Sequence, residues 1–97
     1  MISGFANQAT EDIFNGVDSK EARKICPQAI WPVARRKLMQ INAAASLADL
    51  RVPPGNRLER LEGDRQGQYS IRINEKYRIC FIGTDLGVSQ VEILDYH

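Results

Sequence analysis

The 97-residue chain reads as one α+β domain, residues 1–97, with N-terminal helices packed on a mainly antiparallel, twisted β-sheet. Three observations carry this reading. Trp31, Ala34, Leu38, Ile41 and Ala45 recur at helical spacing in the first half. The run Val52-Pro53-Pro54-Gly55-Asn56 cannot continue a helix and marks a change of class. Beyond it, short stretches of β-branched and aromatic residues are separated by Gly, Asn and Asp, the residues of turns. Helices first and strands afterwards indicate segregated layers rather than a parallel βαβ arrangement. A chain of this size buries a modest core and has no room for a separate cofactor-binding domain.

Taken in order, Met1 to Phe5 has the composition of a short edge strand. Asn7 is a suitable cap for a helix ending near Gly16, which tolerates the left-handed conformation past a helix end. Residues 19–26 allow another turn or two before Pro27. The main helix starts near Pro32, acceptable in a first turn, and runs to about Ala45. Its opposite side carries Arg35, Arg36, Lys37 and Gln40. Two readings fit that side: the solvated face of a packed helix, or a surface touching RNA or an acidic partner. Residues 49–56 are a loop by composition. Strands follow at 58–61, 68–73, 77–82 and 88–96, with a turn at 62–67. There is no internal repeat and no low-complexity segment.

The middle hairpin has a preferred register, because residues opposite one another in an antiparallel pair point to the same face. A three-residue loop, Asn74-Glu75-Lys76, pairs Ile73 with Tyr77, Ile71 with Ile79 and Tyr69 with Phe81, giving one apolar face. The other face then sets Ser70 opposite Cys80 and Arg72 opposite Arg78. Two like charges become cross-strand neighbours, unfavourable by a few tenths to about 1 kcal/mol, and an anion between them relieves the repulsion. In the last strand Val91, Ile93 and Asp95 share one face, and Glu92, Leu94 and Tyr96 the other.

Composition is that of an ordinary water-soluble protein, and no apolar run approaches the roughly 20 residues of a membrane-spanning helix. The first residues lack the features of a signal peptide, so the expected location is cytoplasmic, with no membrane partner. Cys26 and Cys80 show neither CxxC nor CxxH spacing; they read as reduced, partly buried side chains. No carboxylate cluster has metal-ligand spacing, which argues against a two-metal nuclease, and no cofactor is expected. Charge is uneven. Residues 35–78 hold ten basic residues, eight of them arginine, against five acidic ones, while both flanks are acidic. Arginine's planar fork suits phosphate oxygens better than the point charge of lysine.

The candidate chemical centre is Asp95-Tyr96-His97, which unites a carboxylate, a phenol and the only histidine after the run Val91-Glu92-Ile93-Leu94. If Tyr96 or His97 meets the Arg72–Arg78 face, two fixed positive charges, a phenol and an imidazole surround a space of phosphate size. Those groups suit phosphodiester chemistry. Tyr96 as a packed side chain and His97 as a frayed one are the structural alternatives.

The runs Gly63-Asp64-Arg65-Gln66-Gly67, Ser70-Ile71-Arg72-Ile73-Asn74, Tyr77-Arg78-Ile79-Cys80-Phe81 and the final Asp95-Tyr96-His97, in this order behind a basic helix and a Pro-Pro-Gly-Asn loop, resemble HigB-type toxins of the RelE superfamily. The resemblance spans nearly the whole chain and is most specific in the C-terminal half. It implies a RelE-like compact fold and a type II toxin that enters the ribosomal A site and cuts messenger RNA. It implies as partners a helix-turn-helix antitoxin of the HigA kind, the ribosome and mRNA, with operator DNA reached only through the antitoxin. It assigns catalytic importance to Asp95, Tyr96 and His97 and makes Arg72 and Arg78 phosphate contacts, with Arg65 a further candidate. Some members carry a histidine just before the GDR run. Here the matching position is Glu59, so the general base stays open between Glu59 and His97.

The mechanism expected on this basis is metal-free attack of an RNA 2′-hydroxyl on its neighbouring phosphate. Arg72 and Arg78 neutralise phosphoryl charge, His97 or Glu59 moves protons, and Tyr96 positions or donates. Arg35, Arg36 and Lys37 extend the basic surface toward RNA. The competing class is a non-catalytic module that uses the same basic face to bind RNA, the ribosome or an antitoxin, acting on transcription or ribosome assembly.

Overall fold

The computed structural model describes residues 1–84 and 87–95. Helix α1 spans Gln8–Asn15, and the Asn7 side chain accepts the Thr10 N–H at 2.9 Å as its cap. The helix ends on Gly16, at φ 75°, a left-handed value that suits a residue without a side chain. Helix α2, Lys20–Ile25, is capped by Ser19, whose hydroxyl also donates to Asp12 at 2.6 Å and so ties α2 to α1. This bond, with one from Gln8, holds the Asp12 carboxyl below its usual pKa.

Helix α3 covers Trp31–Ala43, with Pro32 in its first turn as expected. It stops two residues before Ala45, because Ala44 turns to an extended conformation and Ser46 opens a capped 3₁₀ turn over Leu47–Arg51. A second such turn occupies Pro54–Asn56, so the expected loop is irregular but ordered by local hydrogen bonds.

Four antiparallel strands follow in the order β1 (Glu59–Arg60), β2 (Gln68–Arg72), β3 (Tyr77–Thr84) and β4 (Gly87–Asp95). The β2–β3 register is the one predicted: Tyr69 faces Phe81, Ser70 faces Cys80, Ile71 faces Ile79 and Arg72 faces Arg78. Asn74 explains the turn, since its side-chain oxygen accepts the N–H groups of Lys76 and Tyr77, each at 2.8 Å. Between β3 and β4 the register slips by one residue near Gln90, at φ 50°. That bulge breaks the alternation and turns Val88 to the same buried side as Val91 and Ile93.

Met1–Phe5 is an edge segment but not a ladder strand. It touches β4 through two parallel bridges, Ile2 with Val88 and Phe5 with Val91. Gly87 permits the approach, because a Cβ there would stand 2.3 Å from the Met1 carbonyl oxygen. The core lies between this sheet face and the helices, where Ile71, Ile79, Phe81, Val91 and Ile93 meet Ile13, Ala34, Leu38 and Ile41. Burial of each larger side chain is worth about 1.5–3 kcal/mol. With the helices covering one face, the polar row of Glu59, Ser70, Arg72, Arg78, Cys80 and Glu92 belongs to the other. No helix among the described residues is long and apolar enough to cross a membrane.

Candidate functional site

The helix-free face contains a cleft of about 230 Å³ lined by Arg57, Glu59, Arg72, Asn74, Glu75 and Arg78. Pairing builds it: Glu59 of β1 faces Ser70 of β2, and two residues further along β2 Arg72 faces Arg78 of β3. Arg78 is only 8 % exposed. Its Nε donates to Ser70 Oγ at 2.8 Å, and its Nη2 donates to the Arg57 carbonyl at 2.7 Å and stands 3.7 Å from Glu59 Oε2. The guanidinium is therefore fixed before any ligand arrives. Arg72 supplies a second positive charge opposite it and Arg57 a third, against the carboxylates of Glu59 and Glu75. The arrangement offers cationic donors to a phosphate-sized anion and a carboxylate beside it.

Arg65 lies next along the same face, where its Nη1 donates to Glu92 at 2.8 Å and to Gln68 at 3.1 Å. Within this row the Cys80 thiol is fully buried, and burial pushes its pKa up. Among the described residues no three of His, Cys, Asp or Glu gather where a metal ion could be held.

The structure thus brings together Arg72, Arg78 and Glu59, with Arg65 beside them. Asp95 stands elsewhere. It faces Tyr77, on the parity of the helix-packed side, and its carboxylate lies 3.6 Å from Lys76 Nζ. Tyr96 and His97 lie outside the described residues.

The three basic residues of α3 diverge instead of forming one surface. Arg35 donates to the Phe14 carbonyl at the end of α1, and Arg36 is exposed. Lys37 corrects the expected solvated face: it is buried, and its ammonium donates to the Asn56 side chain. Helix geometry alone put it beside Arg36, but the Pro-rich loop folds over that side and covers it. Burial, with the charge of Arg36 nearby, pulls its pKa down.

Sequence reasoning did not single out Arg57, Asn74 or Glu75 as site residues. Extending the register argument one strand outward would have aligned Glu59 with Ser70. The left-handed backbone of Arg57, at φ 46°, had no sequence signal.

Comparison with known proteins returns one family model, described as RelE-like toxin of type II toxin-antitoxin system HigB, which matches residues 4–97. Toxin HigB-1 of Vibrio cholerae serotype O1 is 46 % identical over 80 residues, covering 82 % of each chain. An uncharacterised protein of Haemophilus influenzae is 44 % identical over 55 residues, 57 % of this chain and 54 % of that one.

Proposed function

The chain belongs to the HigB family of RelE-like toxins of type II toxin-antitoxin systems, and from that premise we propose that it is a ribosome-dependent mRNA endonuclease that arrests translation and growth. The observation that carries the reading is the opposition of Arg72 and Arg78 in a cleft that also holds Glu59. Their mutual repulsion is relieved by a phosphodiester, whose charge grows on the non-bridging oxygens as it is attacked.

In the proposed reaction the RNA 2′-hydroxyl is the nucleophile. A base, Glu59 or His97, takes its proton while the 2′-oxygen bonds to phosphorus in line with the departing 5′-oxygen. Arg72 and Arg78 stabilise the charge on the phosphoryl oxygens. The P–O5′ bond breaks, and the leaving oxygen takes a proton from His97, with Tyr96 positioning it or donating in its place. The products are a 2′,3′-cyclic phosphate and a 5′-hydroxyl. Asp95, beside Lys76, orients the end of β4 that precedes Tyr96, and Arg65 contacts a flanking phosphate.

An antitoxin partner comes with the family. We assign it to the helix-turn-helix, HigA-like class, and operator DNA contact to the antitoxin rather than to this chain. The ribosomal A site is the place of action and the cytoplasm the compartment.

Primer extension on mRNA after brief expression tests the reading. New discrete 5′ ends within translated regions are expected, absent when translation is blocked beforehand. Growth arrest with every transcript intact refutes the nuclease and leaves the non-catalytic binding module.

A further inference from the structure

A buried lysine on α3 is connected to the cleft by hydrogen bonds and one step along the backbone, from Asn56 to Arg57. Lys37 on α3 donates to Asn56 Oδ1. The Asn56 amide, fully buried, donates to Gln40 Oε1 and to the Leu50 carbonyl, both at 3.1 Å. Gln40, one turn after Lys37 on the same helix face, also donates to the Val52 carbonyl. Asn56 is followed in the chain by Arg57, held in the left-handed region although it carries a full side chain. Its carbonyl accepts from Arg78 at 2.7 Å, and its side chain lines the cleft.

We propose that Lys37 and Asn56 are positioning residues, through which α3 sets the place of Arg57 and thereby of the Arg78 guanidinium. Resting on the reading of the cleft as the RNA site, the proposal explains two costs that simple packing does not require. A cation is taken out of water where an apolar chain of similar length would fill the same space. A non-glycine residue is held at positive φ, which persists only where the surroundings over-determine it. Both become intelligible if the product is a guanidinium fixed in advance, since displacements near 1 Å at a reacting centre cost on the order of 100-fold in rate.

The test uses Lys37→Met, which keeps an unbranched side chain only one atom shorter and removes its donor. In ¹⁵N-labelled protein the Arg78 Nε–H, which donates to Ser70, is expected to shift and to exchange with solvent about ten-fold faster. The Arg35 Nε–H, donating to Phe14, stays as it was and serves as control. Ribosome-dependent cleavage at saturation is expected to fall about ten-fold, with half-saturation changed less than two-fold. In an Arg78→Lys background Lys37→Met adds little further loss, because both act through one guanidinium. Asn56→Asp, which keeps the acceptor, retains more rate than Asn56→Ala, and it serves as the principal variant if Lys37→Met does not fold.

An unmoved Arg78 resonance in the folded variant overturns the linkage whatever happens to cleavage. A moved resonance with undiminished cleavage overturns the positioning role. Wild-type protein that cuts no mRNA overturns the reading of the cleft, and the resonance reports on the linkage separately.

Discussion

Arg72 and Arg78 face each other on adjacent strands, yet only Arg78 is locked by buried hydrogen bonds. The two arginines therefore differ in what they do for the fold while sharing one charge environment. Arg72 adds repulsion to the empty cleft; Arg78 adds repulsion but also satisfies Ser70 and the Arg57 carbonyl.

Arg72→Ala is accordingly expected to leave stability unchanged or to raise it by up to about 1 kcal/mol, by removing a like-charge pair. Arg78→Ala leaves buried acceptors without their donor and should cost about 1–3 kcal/mol. Both should lower mRNA cleavage by about 10²-fold or more, the usual loss when a donor to a developing oxyanion is removed. Arg35→Ala, on the far side of the domain, should leave cleavage within a factor of two. Urea denaturation and primer extension on the three variants check this, and equal losses in all three would point to a diffuse basic surface instead of a site.

The Arg65–Glu92 pair is partly exposed, at 36 % and 21 % of the side chains. Its contribution to stability is small, about 0.2–1 kcal/mol, and falls with salt. Its effect on binding has the opposite sign. Glu92→Gln removes a negative charge beside the cleft, so affinity for a short single-stranded RNA should rise several-fold at low salt. Fluorescence anisotropy between 50 mM and 200 mM salt reads it out, with a steeper salt slope for the variant.

Cys26 is buried, and burial pushes its thiol from the ordinary 9.0 up to about 11. The unfolded chain ionises near 9 while the folded chain does not, so between pH 9 and 11 the unfolded state has lost a proton that the folded state keeps. Stability contributed by this group is complete below pH 9 and declines toward pH 11, by at most about 1.4 kcal/mol per pH unit. Cys80 shifts in the same direction for the same reason. Native protein at pH 8 should therefore resist iodoacetamide at both thiols and react at both in urea. Rapid labelling of the folded chain would contradict the burial of these thiols.

The outer edge of β4 is closed by a side chain from α1: the Ile93 N–H donates to Thr10 Oγ1 at 3.1 Å, and both residues are buried. Thr10→Val preserves shape but leaves the Ile93 N–H without an acceptor, at a cost of about 1–3 kcal/mol. Hydrogen exchange at Ile93 should accelerate selectively, while the β2–β3 amides keep their protection.

Much of this architecture was legible in the chain because it rests on local rules. Asn7, Gly16 and Pro32 mark helix ends through their own backbone preferences, and the alternation from Tyr69 to Phe81 admits one hairpin register that buries all its apolar residues. From that register the Arg72–Arg78 pair followed directly. What escaped depends on how the chain folds back on itself. Lys37 reads as a solvated helix residue until residues 50–57 close over it, and Arg57 enters the cleft through a backbone conformation that arginine seldom adopts. The bulge at Gln90 likewise overrode simple alternation, bringing Val88 inward.

The identity of the general base separates Glu59 from His97. Glu59 lines the cleft, 3.7 Å from Arg78, close enough to serve a 2′-hydroxyl on a bound strand. If Glu59 is the base and His97 the acid, each variant, Glu59→Gln and His97→Ala, should fold normally and lose about 10²–10⁴-fold in cleavage rate. Their pH profiles should differ. If His97 is the acid, removing it abolishes the alkaline decline in rate, whereas Glu59→Gln keeps that decline and loses the acidic limb. Single-turnover cleavage of ribosome-bound mRNA between pH 5.5 and 8.5 measures both profiles. A folded His97→Ala protein that still inhibits growth fully would remove the imidazole from the reaction, and the same result for Glu59→Gln would transfer the base to another group.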